Sequence, residues 1–195
     1  MPERKRLFDA LDQGLLHPWT GPQASVAAVL RRSAEGTEAL FIERAIRDDD
    51  PWSGHMAFPG GRREVHDQDS RATAERETRE EIGLDLDGVE RLGDLSPVHG
   101  GERSTREPLQ VSPHAYWWDG PRPELTLNYE VRSTVWVRLD HLADAGNHIA
   151  YQYPAYPDET WPGIEVEGGR VVWGLTLRML EDLFERLGSP LDIRR

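Results

Sequence analysis

The chain has 195 residues, of which 37% are hydrophobic and 30% charged, with 7 Trp, 5 Tyr and 4 Phe. This length and apolar content predict a single folded domain over residues 1–195 and exclude wholesale disorder. The absence of Cys excludes a disulfide framework, a thiolate metal site and a cysteine nucleophile, and indicates a reducing compartment. No apolar run approaches the ~20 residues of a membrane helix, so we expect a cytoplasmic protein with no membrane partner.

The formal net charge is -12, from 35 acidic and 23 basic residues. A surface of this sign repels polyanions, so binding along duplex nucleic acid is excluded as a general function. A small phosphorylated substrate is compatible with the charge if arginines or bound metal ions offset the local repulsion.

The N-terminal part of the chain predicts one helix and two strands. Apolar residues recur at helical spacing over 7–16, so we expect a helical extension within residues 1–20. Residues 24–32 and 39–44 have the apolar content of strands, and the polar segment 33–36 between them predicts a hairpin loop.

A second helix is predicted over residues 70–82, which are rich in Ala, Glu and Arg. Asp69 or Ser70 is available as its N-cap, and Gly83 stands where a C-terminal cap belongs. Three further strands are predicted over 90–95, 109–118 and 129–137. A mixed, largely antiparallel sheet follows from these elements.

The C-terminal part combines an irregular insertion with a third helix. Residues 147–170 are rich in Pro, Tyr, Trp and Gly, which predicts an insertion with a hairpin around Gly168 and Gly169. Residues 172–187 carry apolar side chains at every fourth position, which predicts a helix that faces the core.

The second helix carries a column of carboxylates. Residues three and four apart share a helix face, so Glu77, Glu80 and Glu81 are predicted to converge on one patch. Thr73, Glu77, Glu81 and Asp85 follow one another at four-residue steps with no cation among them, which favours an external positive charge. Clustered carboxylate oxygens suit Mg²⁺ or Mn²⁺ better than Zn²⁺. The alternative is a solvated helix laced with ion pairs.

A turn with the sequence Phe-Pro-Gly-Gly occupies residues 58–61, and its two glycines allow the backbone to approach a ligand closely. Residues 76–84 follow as Arg-Glu-Thr-Arg-Glu-Glu-Ile-Gly-Leu. Together they resemble the Nudix box, the signature of hydrolases that act on a nucleoside diphosphate linked to another moiety. Gly61 matches the opening glycine of that signature.

This box departs from the standard one in ways that are themselves informative. Asp67 or Gln68 occupies the position of the first Glu, the spacer is one residue longer, and Thr78 replaces an apolar residue. The longer spacer is similar to that of the coenzyme A diphosphatase branch. Further agreement with that branch lies in residues 53–54, 56–61, 73–74, 128–131 and 172–176. The branch carries an Arg four residues before Gly54, where this chain has Asp50, and Arg47 replaces that Arg only if the loop shifts.

The resemblance implies an α/β/α sandwich of the Nudix type that hydrolyses a phosphoanhydride bond, with coenzyme A or a derivative as the first substrate. The box does not choose among nucleotides, so ADP-ribose, NADH and dinucleoside polyphosphates are alternatives. A noncatalytic nucleotide-binding module is an alternative of a different class. A homodimer paired through the terminal elements is also left open.

The resemblance also implies roles for individual residues. Mg²⁺ or Mn²⁺ is expected at the carbonyl of Gly61 and the carboxylates of Glu77, Glu80 and Glu81. Arg76 is expected to orient the glutamates through a charge-assisted hydrogen bond. The general base is expected to be Glu77 or a carboxylate from another loop, and Glu130 is the best candidate for such a base or a further metal ligand.

Arginines and aromatic residues around the box are candidate substrate contacts. The phosphates are expected near Arg44, Arg62, Arg63 and Arg103, with simple surface charge as the alternative. The candidates for stacking on a base are Trp52, Trp117, Trp118, Tyr151, Tyr153, Tyr156 and Trp161. His55 is expected to make a structural hydrogen bond, because no second His stands at metal-ligand spacing.

Overall fold

The computed structural model describes residues 2–11, 21–47, 52–100, 107–154 and 156–193. The helices are α1 (Pro2–Ala10), α2 (Ser70–Ile82), α3 (Leu139–Ala143) and α4 (Gly174–Arg186). The strands are β1 (Gln23–Ser33), β2 (Gly36–Arg44), β3 (Met56–Ala57), β4 (Gly60–Arg62), β5 (Glu90–Asp94), β6 (Val98–Gly100), β7 (Leu109–Trp118), β8 (Val131–Arg138), β9 (His148–Tyr151), β10 (Trp161–Val166) and β11 (Arg170–Trp173).

The main sheet is mixed and has β1 at its centre. Its order is β3-β2-β1-β7-β5, with β4 paired to β1, β6 to β7 and β8 to β2. The β1–β7 pair is parallel, and the β1–β2, β2–β8 and β5–β7 pairs are antiparallel. A second sheet, which we call the small sheet, has the order β11-β10-β9 and is antiparallel.

The main sheet separates two apolar layers, because side chains alternate between its faces. Ala27 and Val29 of β1 pack in the layer that contains Ala74 and Ile82 of α2. Ala28 and Leu30 pack on the opposite side with α1, α4 and the small sheet. The molecule is therefore a mixed α/β fold, and among the described helices α2 is the one that packs on this face of the sheet.

Several predicted boundaries are confirmed. β7 has the predicted bounds, β1 and β2 are joined by a turn at residues 34–35, and α2 runs over the predicted residues. The hairpin around Gly168 and Gly169 is present as β10 and β11, with a short 3-10 helix between them.

The predicted limits of the first and last helices are wrong. α1 begins at Pro2, since proline suits the first turn of a helix, and it ends at Ala10. Residues 12–20 lie outside the described part of the chain. α4 begins at Gly174 rather than at residue 172, because the apolar residues before it form β11 and bury Val172 as part of a strand. Among the described helices, none is both long enough and apolar enough to cross a lipid bilayer.

Candidate functional site

Helix α2 is fixed at both ends by caps. Asp69 is the N-cap, and its side chain accepts a hydrogen bond from the Ala72 amide at 2.8 Å. Gly83 ends the helix in the left-handed conformation, with φ of 69°, and its amide donates to the Arg79 carbonyl. Of the two predicted candidates, Asp69 and Ser70, the N-cap is therefore Asp69. The capped helix holds its carboxylates at fixed positions along the sheet.

The Gly-Gly turn brings the backbone of β4 against α2. Gly60 has a φ of +150°, and a Cβ built there would lie 2.2 Å from the Ser25 carbonyl oxygen of β1. A Cβ built on Gly61 would lie 2.5 Å from the Glu77 carboxyl carbon. Both positions therefore require glycine, the first because of the sheet and the second because of a carboxylate.

Glu81 is the most buried carboxylate of the site, with a side chain that is 2% exposed. Its Oε2 accepts a hydrogen bond from the Gly60 amide at 2.8 Å. Its Oε1 lies 3.9 Å from the Arg44 guanidinium, which is too far for a hydrogen bond. Burial raises the pKa of the Glu81 carboxyl to about 8. The ionised form is therefore short of counter-charge.

Glu77 lies between the turn and the other carboxylates. Burial raises its pKa, Arg76 opposes that shift, and the negative charges of Glu80 and Glu130 reinforce it. The charge of Glu130 also raises the pKa of Glu81. These carboxylates therefore act on one another through space even though they come from two different elements.

Arg76 connects the box to its loop. Its Nε and Nη2 donate to the two oxygens of Asp67 at 2.9 and 3.0 Å, in the bidentate geometry that arginine favours. Its Nη1 lies 3.1 Å from Glu77 and 3.0 Å from Glu80. Hydrogen bonds from Arg76 hold the pKa of the buried Asp67 carboxyl well below its usual range. The structure thus assigns the pairing with Arg76 to Asp67 and not to Gln68.

The carboxylate column itself contains no cation, but two arginines outside it pair with its members. Arg76 reaches Glu77 from the adjacent position, and Arg79 binds Asp85 at 2.6 Å. Long arginine side chains can swing sideways along a helix, so spacing alone did not reveal these pairs. Glu81 is the member of the column that is buried and has only a distant cation.

Glu130 enters the site from the turn before β8. Its side chain is 34% exposed, and Oε1 lies 3.7 Å from the Arg47 guanidinium. The guanidinium of Arg47 also stands 5.8 Å from the centre of the Tyr129 ring. Tyr129 is 78% exposed, and the sequence analysis did not single it out. Arg47 thus lies beside a carboxylate of the site, although the arginine of the coenzyme A diphosphatase branch is expected at the position that Asp50 occupies.

The donor set fits a hard divalent cation. Within the described parts of the chain, no three Asp, Glu or His side chains surround a point where a metal ion would sit. Glu80 is exposed, and it shares the Arg76 Nη1 atom with Glu77, at 3.0 and 3.1 Å. The partly buried Glu77 and the buried Glu81 have raised pKa values, and a divalent cation would offset their negative charges through the oxygen ligands it prefers.

The predicted substrate arginines are spread over the surface. Arg44 lies beside Glu81. Arg62 is exposed and offers its carbonyl to Arg76. Arg63 donates to the Gln23 side chain at 2.7 Å and to the Asp67 carbonyl at 3.4 Å. Arg103 lies outside the described residues.

The aromatic candidates divide into two groups. In the first group, Trp117 is buried in the core, Trp52 is partly buried against the core, and Trp118 donates to the Pro121 carbonyl at the C-terminal end of β7. The others that contact one another are Tyr151, Tyr153, Tyr156 and Trp161, which join Trp173 and His55. Trp173 was missed in the sequence because its neighbours suggested the start of a helix.

Comparisons with known proteins give the following similarities. A family model described as "NUDIX domain" matches residues 21–158. The mitochondrial coenzyme A diphosphatase NUDT8 of Mus musculus is 30% identical over 180 residues, which are 87% of this chain and 80% of that protein. The uncharacterized protein C14C4.10c of Schizosaccharomyces pombe is 57% identical over 47 residues, which are 24% of this chain and only 14% of that protein.

Among solved structures, the crystal structure of a MutT/nudix family protein from Enterococcus faecalis has a TM-score of 0.55 and 18% identity. The match covers 90% of this chain and 65% of that one. At this identity the similarity concerns the fold alone.

Proposed function

The chain belongs to the Nudix hydrolase family, and we propose that it hydrolyses the phosphoanhydride bond of coenzyme A or a derivative, with Mg²⁺ or Mn²⁺ as cofactor. The observation that carries the choice of substrate is the similarity to a coenzyme A diphosphatase over 87% of this chain. The bidentate Arg76–Asp67 pair supports it, because an Asp and a lengthened box are what that branch is expected to have.

In this proposal the cation is held by Glu77 and Glu81 together with Glu80 and the Gly61 carbonyl. When bound, it offsets the negative charge of the diphosphate oxygens and increases the acidity of water. Arg76 fixes the side chain of Glu77 from one side, and Gly61 allows that carboxylate to lie directly on the backbone. The Arg76 contact and the adjacent backbone therefore restrain the position of the Glu77 carboxylate.

Glu130 is proposed as the general base. It is partly exposed and stands within the electrostatic reach of Glu77 and Glu81. Glu81 is buried and accepts a hydrogen bond from the Gly60 amide, whereas Glu130 is open to solvent. It can therefore accept a proton from the attacking water and release that proton to solvent. Glu77 is the alternative base.

Arg44 and Arg47 are proposed to contact the diphosphate. Both lie within 4 Å of a carboxylate of the site, at 3.9 Å for Arg44 and 3.7 Å for Arg47. Both guanidinium groups therefore stand beside carboxylates of the site, within reach of a diphosphate bound there, and the guanidinium fork suits phosphate oxygens. Arg62 and Arg63 are less suited to this role, since Arg63 is held by Gln23.

The test is product identification by mass spectrometry after incubation with coenzyme A, NADH, ADP-ribose and a dinucleoside polyphosphate, each with and without Mg²⁺. The expected result is metal-dependent formation of adenosine 3',5'-bisphosphate and 4'-phosphopantetheine from coenzyme A. If only another nucleotide is hydrolysed, the proposed hydrolase activity stands and coenzyme A is not the substrate. No turnover of any nucleotide, with nucleotide binding retained, would favour a noncatalytic binding module.

A further inference from the structure

The outward side of the small sheet carries a continuous cluster of rings, which we call the aromatic face. It consists of Tyr151, Tyr153, Tyr156, Trp161, Trp173 and the imidazole of His55. Trp173 is at its centre, with ring centroids at 4.6 Å from His55, 4.9 Å from Tyr153, 5.2 Å from Tyr151 and 5.5 Å from Trp161.

The strand register explains why these rings share one side. Trp161 pairs with Tyr151, and Gly163 pairs with Trp173, so these positions alternate with Ile164. Ile164 is fully buried against the main core, which leaves the rings on the other side. An outward sheet face is usually polar. A face built from aromatic rings instead indicates a binding surface.

The aromatic face adjoins the stretch of chain that leads to the carboxylates. His55 contacts Trp173 with its ring, and its carbonyl accepts a hydrogen bond from the Arg44 amide at 3.0 Å. Arg44 in turn lies 3.9 Å from Glu81. Five residues lead from His55 to Gly60, so at most about 17 Å separates them along the backbone. A substrate with its phosphates at the carboxylates can therefore extend to the rings.

The exposed part of the aromatic face has the shape of a corner suited to a flat ligand. Tyr156 is 51% exposed, and its ring stands at 68° to that of Trp161, with centroids 5.9 Å apart. A planar ring stacked on one of them meets the other edge to face, and both geometries are favourable. The amide of Tyr156 donates to the Tyr153 carbonyl at 2.9 Å, which ties the backbone of Tyr156 to that of Tyr153.

Charge distinguishes which part of a nucleotide belongs here. The loop that carries Tyr153 and Tyr156 also carries Asp158 and Glu159, which disfavour a phosphate. Neutral aromatic rings and nearby carboxylates suit an uncharged base with exocyclic amino groups.

We infer that the aromatic face is the subsite that binds the purine base of the substrate, with Tyr156 and Trp161 as the stacking residues. This inference rests on the proposed function, because that function makes the substrate a nucleotide. Trp161 and Trp173 of the face come from β10 and β11, beyond residues 21–158 that match the family model. It would therefore confer specificity in addition to what the box provides.

The first test measures binding without turnover. Tryptophan fluorescence of the full chain is titrated with AMP and with ribose 5-phosphate, which has the same phosphate but no base. AMP is expected to quench the tryptophan fluorescence to a saturating level, whereas ribose 5-phosphate is expected to leave the fluorescence unchanged. Tyr156→Leu and Trp161→Leu are expected to weaken AMP binding by about 10-fold, the size of a lost base–aromatic stack. Phe8→Leu is the matched control, since Phe8 is a 41% exposed aromatic on α1.

The second test uses the hydrolysis of coenzyme A. Tyr156→Leu is expected to raise KM by about 10-fold and to change kcat much less, whereas Phe8→Leu keeps both values. If the wild type hydrolyses coenzyme A, but AMP does not change the fluorescence and the variants keep the wild-type KM, the subsite is overturned and the proposed hydrolase activity stands. If AMP binds in a way that depends on Tyr156 but no substrate is hydrolysed, the subsite is supported and the proposed hydrolase activity is contradicted. A dimer by sedimentation that Trp161→Leu dissociates, with AMP binding unchanged, would overturn the inference in favour of a self-association surface.

Discussion

The carboxylate of Glu77 lies directly on the backbone of Gly61. A Cβ at Gly61 would stand 2.5 Å from the carboxyl carbon and 2.7 Å from each carboxylate oxygen of Glu77. At Gly60, by contrast, the nearest obstacles are the backbone and side chain of β1. Two adjacent glycines are thus required for different reasons, one for the fold and one for the site.

Gly61→Ala is therefore expected to lower kcat by about 100-fold, the cost of displacing a catalytic group by about 1 Å. Its Tm should change little, because Glu77 is a flexible side chain that can move aside. The measurements are coenzyme A hydrolysis and thermal unfolding on the same preparation.

Gly60→Ala is the matched control. The new Cβ would stand 2.2 Å from the Ser25 carbonyl, and φ is +150°, so the main sheet must move. A loss of about 3 kcal/mol or more of the free energy of unfolding is expected. Equal destabilisation by the two substitutions would contradict the distinction between them.

Glu81 predicts an unusual pH dependence of stability for the metal-free protein. Burial raises its pKa from 4.5 to about 8 in the folded state. Because the folded state binds the proton more tightly than the unfolded state does, the stability due to Glu81 is complete below about pH 4.5 and is lost as the pH rises through about 8. In EDTA, the Tm is expected to fall by about 5 °C or more between pH 5 and pH 9.

Glu81→Gln should abolish that fall, since the amide oxygen can still accept from the Gly60 amide and carries no charge to desolvate. Saturating Mg²⁺ should raise the Tm of the wild type at pH 8 and should raise the Tm of the variant much less, because the variant has lost one of the proposed metal ligands. If wild type and Glu81→Gln lose stability in parallel with rising pH, the carboxyl is not the group responsible.

The contribution of Asp67 to stability changes with pH in the direction opposite to that of Glu81. Hydrogen bonds from Arg76 lower its pKa, so its contribution to stability is present above about pH 4 and is lost as the pH falls. Asp67→Asn is expected to cost about 2 kcal/mol at pH 7, the scale of hydrogen bonds to a charged group, and less at pH 3. Urea unfolding at the two pH values measures the difference.

The neighbour of Asp67 provides the control. Gln68 is exposed and was the other sequence candidate for this position. Gln68→Asn should leave the free energy of unfolding unchanged at both pH values. A larger effect at Gln68 than at Asp67 would contradict the pairing seen in the structure.

The sequence predicted α2, its caps and β7 because those features depend on local chemistry. Capping residues, helix formers and alternating β-branched residues act within a few positions of one another. The carboxylates of the box were found for the same reason, because helical spacing alone places Glu77 and Glu81 on one face.

Contacts between distant elements were not predictable in this way. His114 of β7 hydrogen-bonds to Asp94 of β5 at 2.6 Å and to Ser70 of α2 at 3.1 Å. These residues are 20 and 44 positions apart from His114, and no local pattern joins them. By contrast, the Arg76–Glu80 contact at 3.0 Å is an i,i+4 pair on one helix, which local spacing does predict.

Glu130 is expected to act on the chemical step. If it accepts the proton of the attacking water, Glu130→Gln should lower kcat by 10²- to 10⁴-fold, the range for removal of a general base. The Mg²⁺ concentration for half-maximal activity should change little, because Glu77 and Glu81 remain.

Arg47→Ala separates this role from substrate binding. Arg47 lies 3.7 Å from Glu130, so loss of its positive charge disturbs the same region without removing the carboxylate. A rise in KM with a much smaller change in kcat is the expected outcome. A Glu130→Gln enzyme that requires far more Mg²⁺ yet reaches the wild-type kcat would make Glu130 a metal ligand and leave Glu77 as the base.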